Sequence, residues 1–128
     1  VVRHQDRCRQ DLGREEAGLT IIVALGTAPD LDVAERLAQD VLERRLVACV
    51  TILPGARSHY WWRDRLETAE EAQIVMKTTQ DRWPLLQAHW QQIHPYHTPE
   101  LIALPVTAGH RPYLDWITKE TAHGKNDD

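Results

Sequence analysis

Phenylalanine is absent, methionine occurs once, and cysteine occurs only twice, at Cys8 and Cys49. Two cysteines in a chain of 128 residues are not a disulfide framework. Cys8 lies in a polar stretch, so no structural bridge to Cys49 is expected, and a reducing cytoplasm is the simplest setting. No apolar run approaches the roughly 18 residues that a membrane-spanning helix needs, and the first residues lack the apolar core of a signal peptide. There is no basic excess: 15 Lys and Arg stand against 19 Asp and Glu, a net charge of -4. That argues against a nucleic-acid surface, which neutralises phosphates with a cationic face. No Gly-rich loop opens a helix, which lowers the case for a conventional nucleotide-phosphate site. HExxH, GxSxG and CxxC are all missing. A binding role is therefore expected rather than an enzyme.

What is present is ordinary for one globular domain: 42% hydrophobic and 27% charged residues. Residues 1–18 show neither a helical nor a strand period, and their arginines and acids balance. They are expected to be a disordered extension, because too little apolar surface offsets the cost of ordering them. The domain is expected over residues 19–118, with a flexible tail at 119–128.

The run 19–25, "LTIIVAL", reads as a buried strand. Asp30 or Asp32 then caps a helix whose apolar stripe is Ala34, Leu37, Ala38, Val41 and Leu42, ending near Arg45. "VACVTILPGARSHYWW" returns to β chemistry. Its Pro54-Gly55 pair belongs at an edge or a bulge, since proline donates nothing to a ladder. "RDR" is a turn, with Asp64 tolerating unusual backbone angles. "LETAEEAQIVMKTT" is the returning strand, charged in its first half and apolar in its second. So long a hairpin outruns a small sheet: its tip is either solvated or paired with another subunit. Asp81 is expected to cap a second helix, with Pro84 in its first turn and Leu85, Leu86, His89, Trp90 and Ile93 as its buried stripe. Pro95 stops it. "ELIALPV" is a fourth strand, and a short final helix is anchored by Tyr113, Leu114 and Trp116. The order βαββαβ plus a terminal helix is an α+β, ferredoxin-like arrangement.

The segments "RLVACVTILPG", "SHYWW", "LETAEEAQIVMKTT", "HPYHTPELIALPVTAG" and "YLDWI" follow one another in register. Together they resemble the CutA family of divalent-cation tolerance proteins, over about residues 20–118. The resemblance implies a homotrimer similar in plan to the PII signalling proteins, with hairpin arms paired across subunits and clefts between neighbours. It also implies binding of copper or another divalent metal ion in metal homeostasis. A PII-like small-ligand sensor without metal is the alternative.

Carried onto this sequence, the family's "HPY..PE" segment falls on His94, Pro95, Tyr96, Pro99 and Glu100. Its hairpin part falls on Tyr60, Trp62, Glu67, Glu71 and Lys77. Copper-binding members are similar in carrying a cysteine closing the first strand and a His-His pair before Pro-Tyr. Here Gly26 and Ile93 stand at two of those positions, and His94 keeps the third. His94 is the candidate metal ligand, with Cys49 and His97 as supplementary donors, a thiolate with imidazole being suited to copper. The other reading of His94 is a cap on the second helix, where a positive ring suits the helix dipole. Tyr60, Trp62, Glu67, Lys77, Tyr96 and Glu100 are the candidate walls of a ligand cleft. Trp61 and Trp62 are adjacent and should face opposite sides of the arm, one of them meeting a neighbour. The expected partners are two further copies of the chain and a metal ion or small ligand, without nucleic acid or membrane.

Overall fold

The computed structural model describes residues 20–126, with side chains described to residue 122. The extension expected at 1–18 lies outside the described residues. The strands are β1 (Ile21–Ala28), β2 (Cys49–Trp62), β3 (Arg65–Thr79) and β4 (Leu101–Pro105). The helices are α1 (Leu31–Glu43), α2 (Trp83–Ile93) and α3 (Arg111–Asn126), and a single 3-10 turn, Gln80–Arg82, precedes α2. The sheet runs β2-β3-β1-β4, and its three pairings are all antiparallel. This is the ferredoxin-like fold.

Strand alternation divides the sheet into two unlike faces. Ala24 and Ala28 of β1 and Ala72, Ile74 and Met76 of β3 pack with Ala34, Leu37 and Val41 of α1 and Leu86 and Trp90 of α2. That layer is the core. On the other face lie Val23, Leu25, Val75, Ile102 and Leu104, paired across neighbouring strands. Ile102 and Leu104 are about half exposed, at 51% and 49%. The second face is apolar and no helix of the pair α1–α2 covers it.

β2 is one edge strand, β4 being the other, and the Pro54-Gly55 pair makes a bulge in it. Leu53 pairs with Gln73 and Ala56 with Glu71, so two residues of β2 oppose Ala72 alone. Gly55 takes φ 78, which glycine adopts without strain. Among the described residues, those beyond the bulge, 56–62 and 65–71, pair only with each other, because β1 reaches no further than Ala72. They form a two-stranded arm. Its turn holds Arg63 and Asp64, both at positive φ (51 and 65), the signature of a type I′ hairpin.

Asp30 caps α1, its Oδ1 accepting the Val33 N–H at 2.9 Å. The helix ends at Glu43, and Arg45 turns to φ 57. Three expectations are corrected. Asp81 does not cap α2: no side chain caps that helix, and Asp81 sits inside the 3-10 turn, accepting from the Thr79 hydroxyl. Leu85 is exposed and only Leu86 and Trp90 are buried in α2, the helical phase lying one residue on from Leu85. The last helix is neither short nor anchored by its aromatics. It runs to Asn126, through most of the segment 119–128 expected to be a tail, and buries Ile117 and Thr121 while Tyr113 and Trp116 stay exposed, stacked 5.7 Å apart. Two arginines hold it. Arg45 donates to the Glu120 carbonyl and carboxylate, and the buried Arg82 donates twice to the Thr121 carbonyl.

Candidate functional site

The loop His94–Glu100 runs from the end of α2 to β4. Pro95 supplies no N–H, so the helix stops, and His94 takes extended angles (φ -79, ψ 139). Its ring turns inward and is 6% exposed. Nε2 lies 2.7 Å from the Thr27 carbonyl oxygen. Nδ1 accepts the Tyr96 backbone N–H at 3.0 Å. A carbonyl only accepts and a peptide N–H only donates, so the proton sits on Nε2 and the Nδ1 lone pair is engaged. Trp90 and Tyr96 flank the ring, with centroids 5.4 and 4.8 Å away. The residue expected as the metal ligand has no free lone pair. His94 does close the helix, but as a neutral ring tied to β1 rather than as a cation on the dipole.

Tyr96 carries the chain of contacts onward. Its hydroxyl donates to Glu71 Oε2 at 2.9 Å. Burial, and then the bond to Glu71, push the Tyr96 phenol up from 10.0 to about 12. Glu71 is 9% exposed and pairs with Ala56, directly beside the bulge. The root of the arm is thus pinned to the end of α2. Next to it opens a cleft of about 350 Å³, walled by Pro29, Asp30, Pro54, Gly55, Glu70 and Glu71.

The remaining expected site residues scatter. His97 is exposed and its Nδ1 lies 3.4 Å from the Thr98 hydroxyl. Glu100 is exposed too, while its carbonyl accepts the Trp90 indole N–H at 3.2 Å. Tyr60 and Glu67 are opposite one another on the arm. Trp62 shares their face near the tip, with the Arg63 guanidinium 5.6 Å from its ring. Cys49 is free and half-buried at the far end of the sheet, its Sγ 3.5 Å from the Tyr113 hydroxyl. It pairs with Lys77, which pairs with Val23. Four residue steps along β1 then separate that level from Thr27, about 13 Å at the rise of a strand. One subunit therefore does not bring His94, His97 and Cys49 together. Among the described residues, no group of three or more His, Cys, Asp and Glu side chains is placed to hold a metal ion.

Gly26 explains one departure from the family pattern. A Cβ there would lie 2.9 Å from Trp90 Cζ2 and 3.2 Å from the Glu100 carbonyl oxygen. The indole fills the space a first-strand cysteine would occupy. Sequence reasoning missed Thr27 altogether, treated Asp30 only as a cap, and placed Glu71 in the hairpin pattern without giving it a partner. A carbonyl acceptor leaves no mark in a sequence. Glu71 gave only a partial signal, its match to the family's hairpin pattern.

The model of the family described as "CutA1 divalent ion tolerance protein" matches residues 22–120. The chain belongs to the CutA family. A divalent-cation tolerance protein CutA of Pectobacterium atrosepticum is 50% identical over 96 residues, covering 75% of this chain and 87% of that protein. Among solved structures, the divalent cation tolerance protein of Thermus thermophilus superposes with a TM-score of 0.76 at 39% identity, covering 78% of this chain and 97% of that one. CutA1 from Oryza sativa gives 0.78 at 35% identity, covering 80% and 94%. The CutA match spans the sheet, the arm and the His94–Glu100 loop alike.

Proposed function

We propose that this CutA chain acts as a homotrimer in the handling of divalent cations, copper among them, and that it binds rather than catalyses. The observation that carries the reading is the pairing of a sheet face that α3 covers only at its Cys49 end, leaving Ile102 and Leu104 half exposed, with an arm that finds no third strand among the described residues. A two-stranded ribbon is marginal in water and an exposed edge invites pairing. Further copies of the same chain would cover both. Donors are scattered within a subunit, so the cation is met at subunit boundaries, where the exposed His97 and Glu100 can join groups of a neighbour. Lys77 lies on the apolar face and gains a counter-charge by the same association. The free Cys49 suits a reducing compartment, and we take the cytoplasm as the place of action.

Two measurements test this. Sedimentation at micromolar concentration should give a trimer, and copper titration should saturate at a fixed ratio to subunits. A double variant Ile102→Asp, Leu104→Asp, which charges the apolar face, should lose both properties together. A folded single subunit that binds copper as well as the parent chain would overturn the reading.

The cleft of about 350 Å³ at the root of the arm supports a second reading, a small-ligand sensor of the PII-like kind. It expects a rise in Tm with a nucleotide or metabolite from a defined panel in metal-free buffer, and no turnover.

A further inference from the structure

His94 stands where the family would place a metal donor, yet its surroundings give it a different task. The ring is buried, its Nε2–H is given to the Thr27 carbonyl, and its Nδ1 holds the Tyr96 N–H. Recruiting Nδ1 to a cation would orphan a backbone N–H in a part-buried loop, and recruiting Nε2 would strip a proton and a buried carbonyl of its partner. Either loss costs more than a hydrogen bond usually contributes, because the group left behind is away from water. Nor, among the described residues, is a second donor grouped with it to share the work: Gly26 has no side chain, and Trp90 fills the space beside it. The one route out of the ring is through Tyr96 to Glu71, beside the bulge from which the arm projects.

We infer that His94 is a positioning residue, not a metal ligand: it fixes the Tyr96 backbone so that the Tyr96 hydroxyl clamps Glu71 and sets the root of the arm. The arm is joined to the four-stranded sheet only through β2 and β3 at the bulge, where ladder pairing is interrupted. A clamp on Glu71 is therefore well placed to set the direction in which the arm leaves. The inference does not depend on the chain binding a cation, because its parts lie within one subunit.

The two roles separate by substitution. In His94→Asn, the side-chain oxygen can accept the N–H two residues on, the usual asparagine turn, so the Tyr96 anchor survives while the imidazole is gone. His94→Leu keeps similar bulk and removes the anchor. Hydrogen exchange at the Ala56 and Glu71 amides should stay near the parent rate in His94→Asn and rise about tenfold in His94→Leu, the scale of one or two net hydrogen bonds. Tyr96→Phe should raise it equally, and the double variant His94→Leu, Tyr96→Phe no further, since both act through one contact. Nitrogen NMR of the parent protein should show the Nε2–H tautomer at His94, unchanged when Zn2+ is added as a diamagnetic probe. Copper titration should be the same for parent, His94→Asn and His94→Leu. Should His94→Leu fail to fold, Tyr96→Phe and the tautomer measurement still decide. Zn2+ displacing the Nε2 proton, copper affinity falling alike in both His94 variants, or unchanged exchange in Tyr96→Phe would each overturn the inference.

Discussion

A methyl group at position 26 has no free space. With Trp90 Cζ2 2.9 Å from the site of a Cβ, and a backbone carbonyl 3.2 Å from it, even Gly26→Ala forces the indole to move. Overpacking of this kind costs about 1–3 kcal/mol. Urea denaturation should show the loss, and Gly26→Cys should lose at least as much rather than build a metal site. Tyr96 makes a separate prediction at high pH. Its phenol is raised from 10.0 to about 12 in the folded chain, so the bond to Glu71 stabilises fully below pH 10 and is lost as pH rises from 10 through 12. Tyr96→Phe should flatten that alkaline limb in a series of thermal melts. Asp40 behaves oppositely. Burial works against its charged form, but hydrogen bonds from His89 and Arg44 outweigh that and lower its pKa. The stability it contributes is present above the unfolded value of 3.8 and fades as pH falls below it. That bond, His89 Nε2 to Asp40 Oδ1 at 2.5 Å, ties α2 to α1. At this scale the sequence was only partly legible. It pointed to the right loop, but a histidine's lone pairs are committed by whichever backbone atoms the fold brings near, and those cannot be read from residue type.

Among elements, the bulge and the arm turn are the informative pair. Pro54-Gly55 announced an irregular edge strand from residue chemistry alone, and β2 has it there. Gly55→Ala meets no atom within 4 Å, so its cost comes only from the left-handed backbone, about 1–2 kcal/mol. Arg63 was harder to read, because arginine is not a turn residue by habit; its guanidinium against the Trp62 ring offsets part of the strain. Replacing Arg63-Asp64 by Asn-Gly should raise stability by roughly 1 kcal/mol, as both residues accept positive φ, and a denaturant midpoint would report it. The closing helix misled for a simple reason. Tyr113 and Trp116 are large, but the phase that meets the domain runs through Leu114, Ile117 and Thr121, and the arginines that hold its late carbonyls come from distant segments.

For the molecule as a whole, the order of strands and helices was enough to give a ferredoxin-like sheet. Its second apolar face needs the register: only in the folded sheet do Val23, Leu25, Val75, Ile102 and Leu104 become one surface. If the proposed trimer closes over this face, Leu104→Asp alone should shift sedimentation toward smaller species without unfolding the subunit, because that side chain is half exposed in the single chain and contributes little to its core.

The aromatic composition carries a practical corollary. With no phenylalanine and five tryptophans, near-ultraviolet signals from this protein are almost wholly indole. Trp61 and Trp62 sit on the arm with 69% and 47% of their surface in water, whereas Trp90 is sealed inside. In the proposed trimer the arm is covered by neighbours, so dilution through its dissociation range should red-shift the emission while the buried indole stays silent, giving a label-free optical readout of quaternary state.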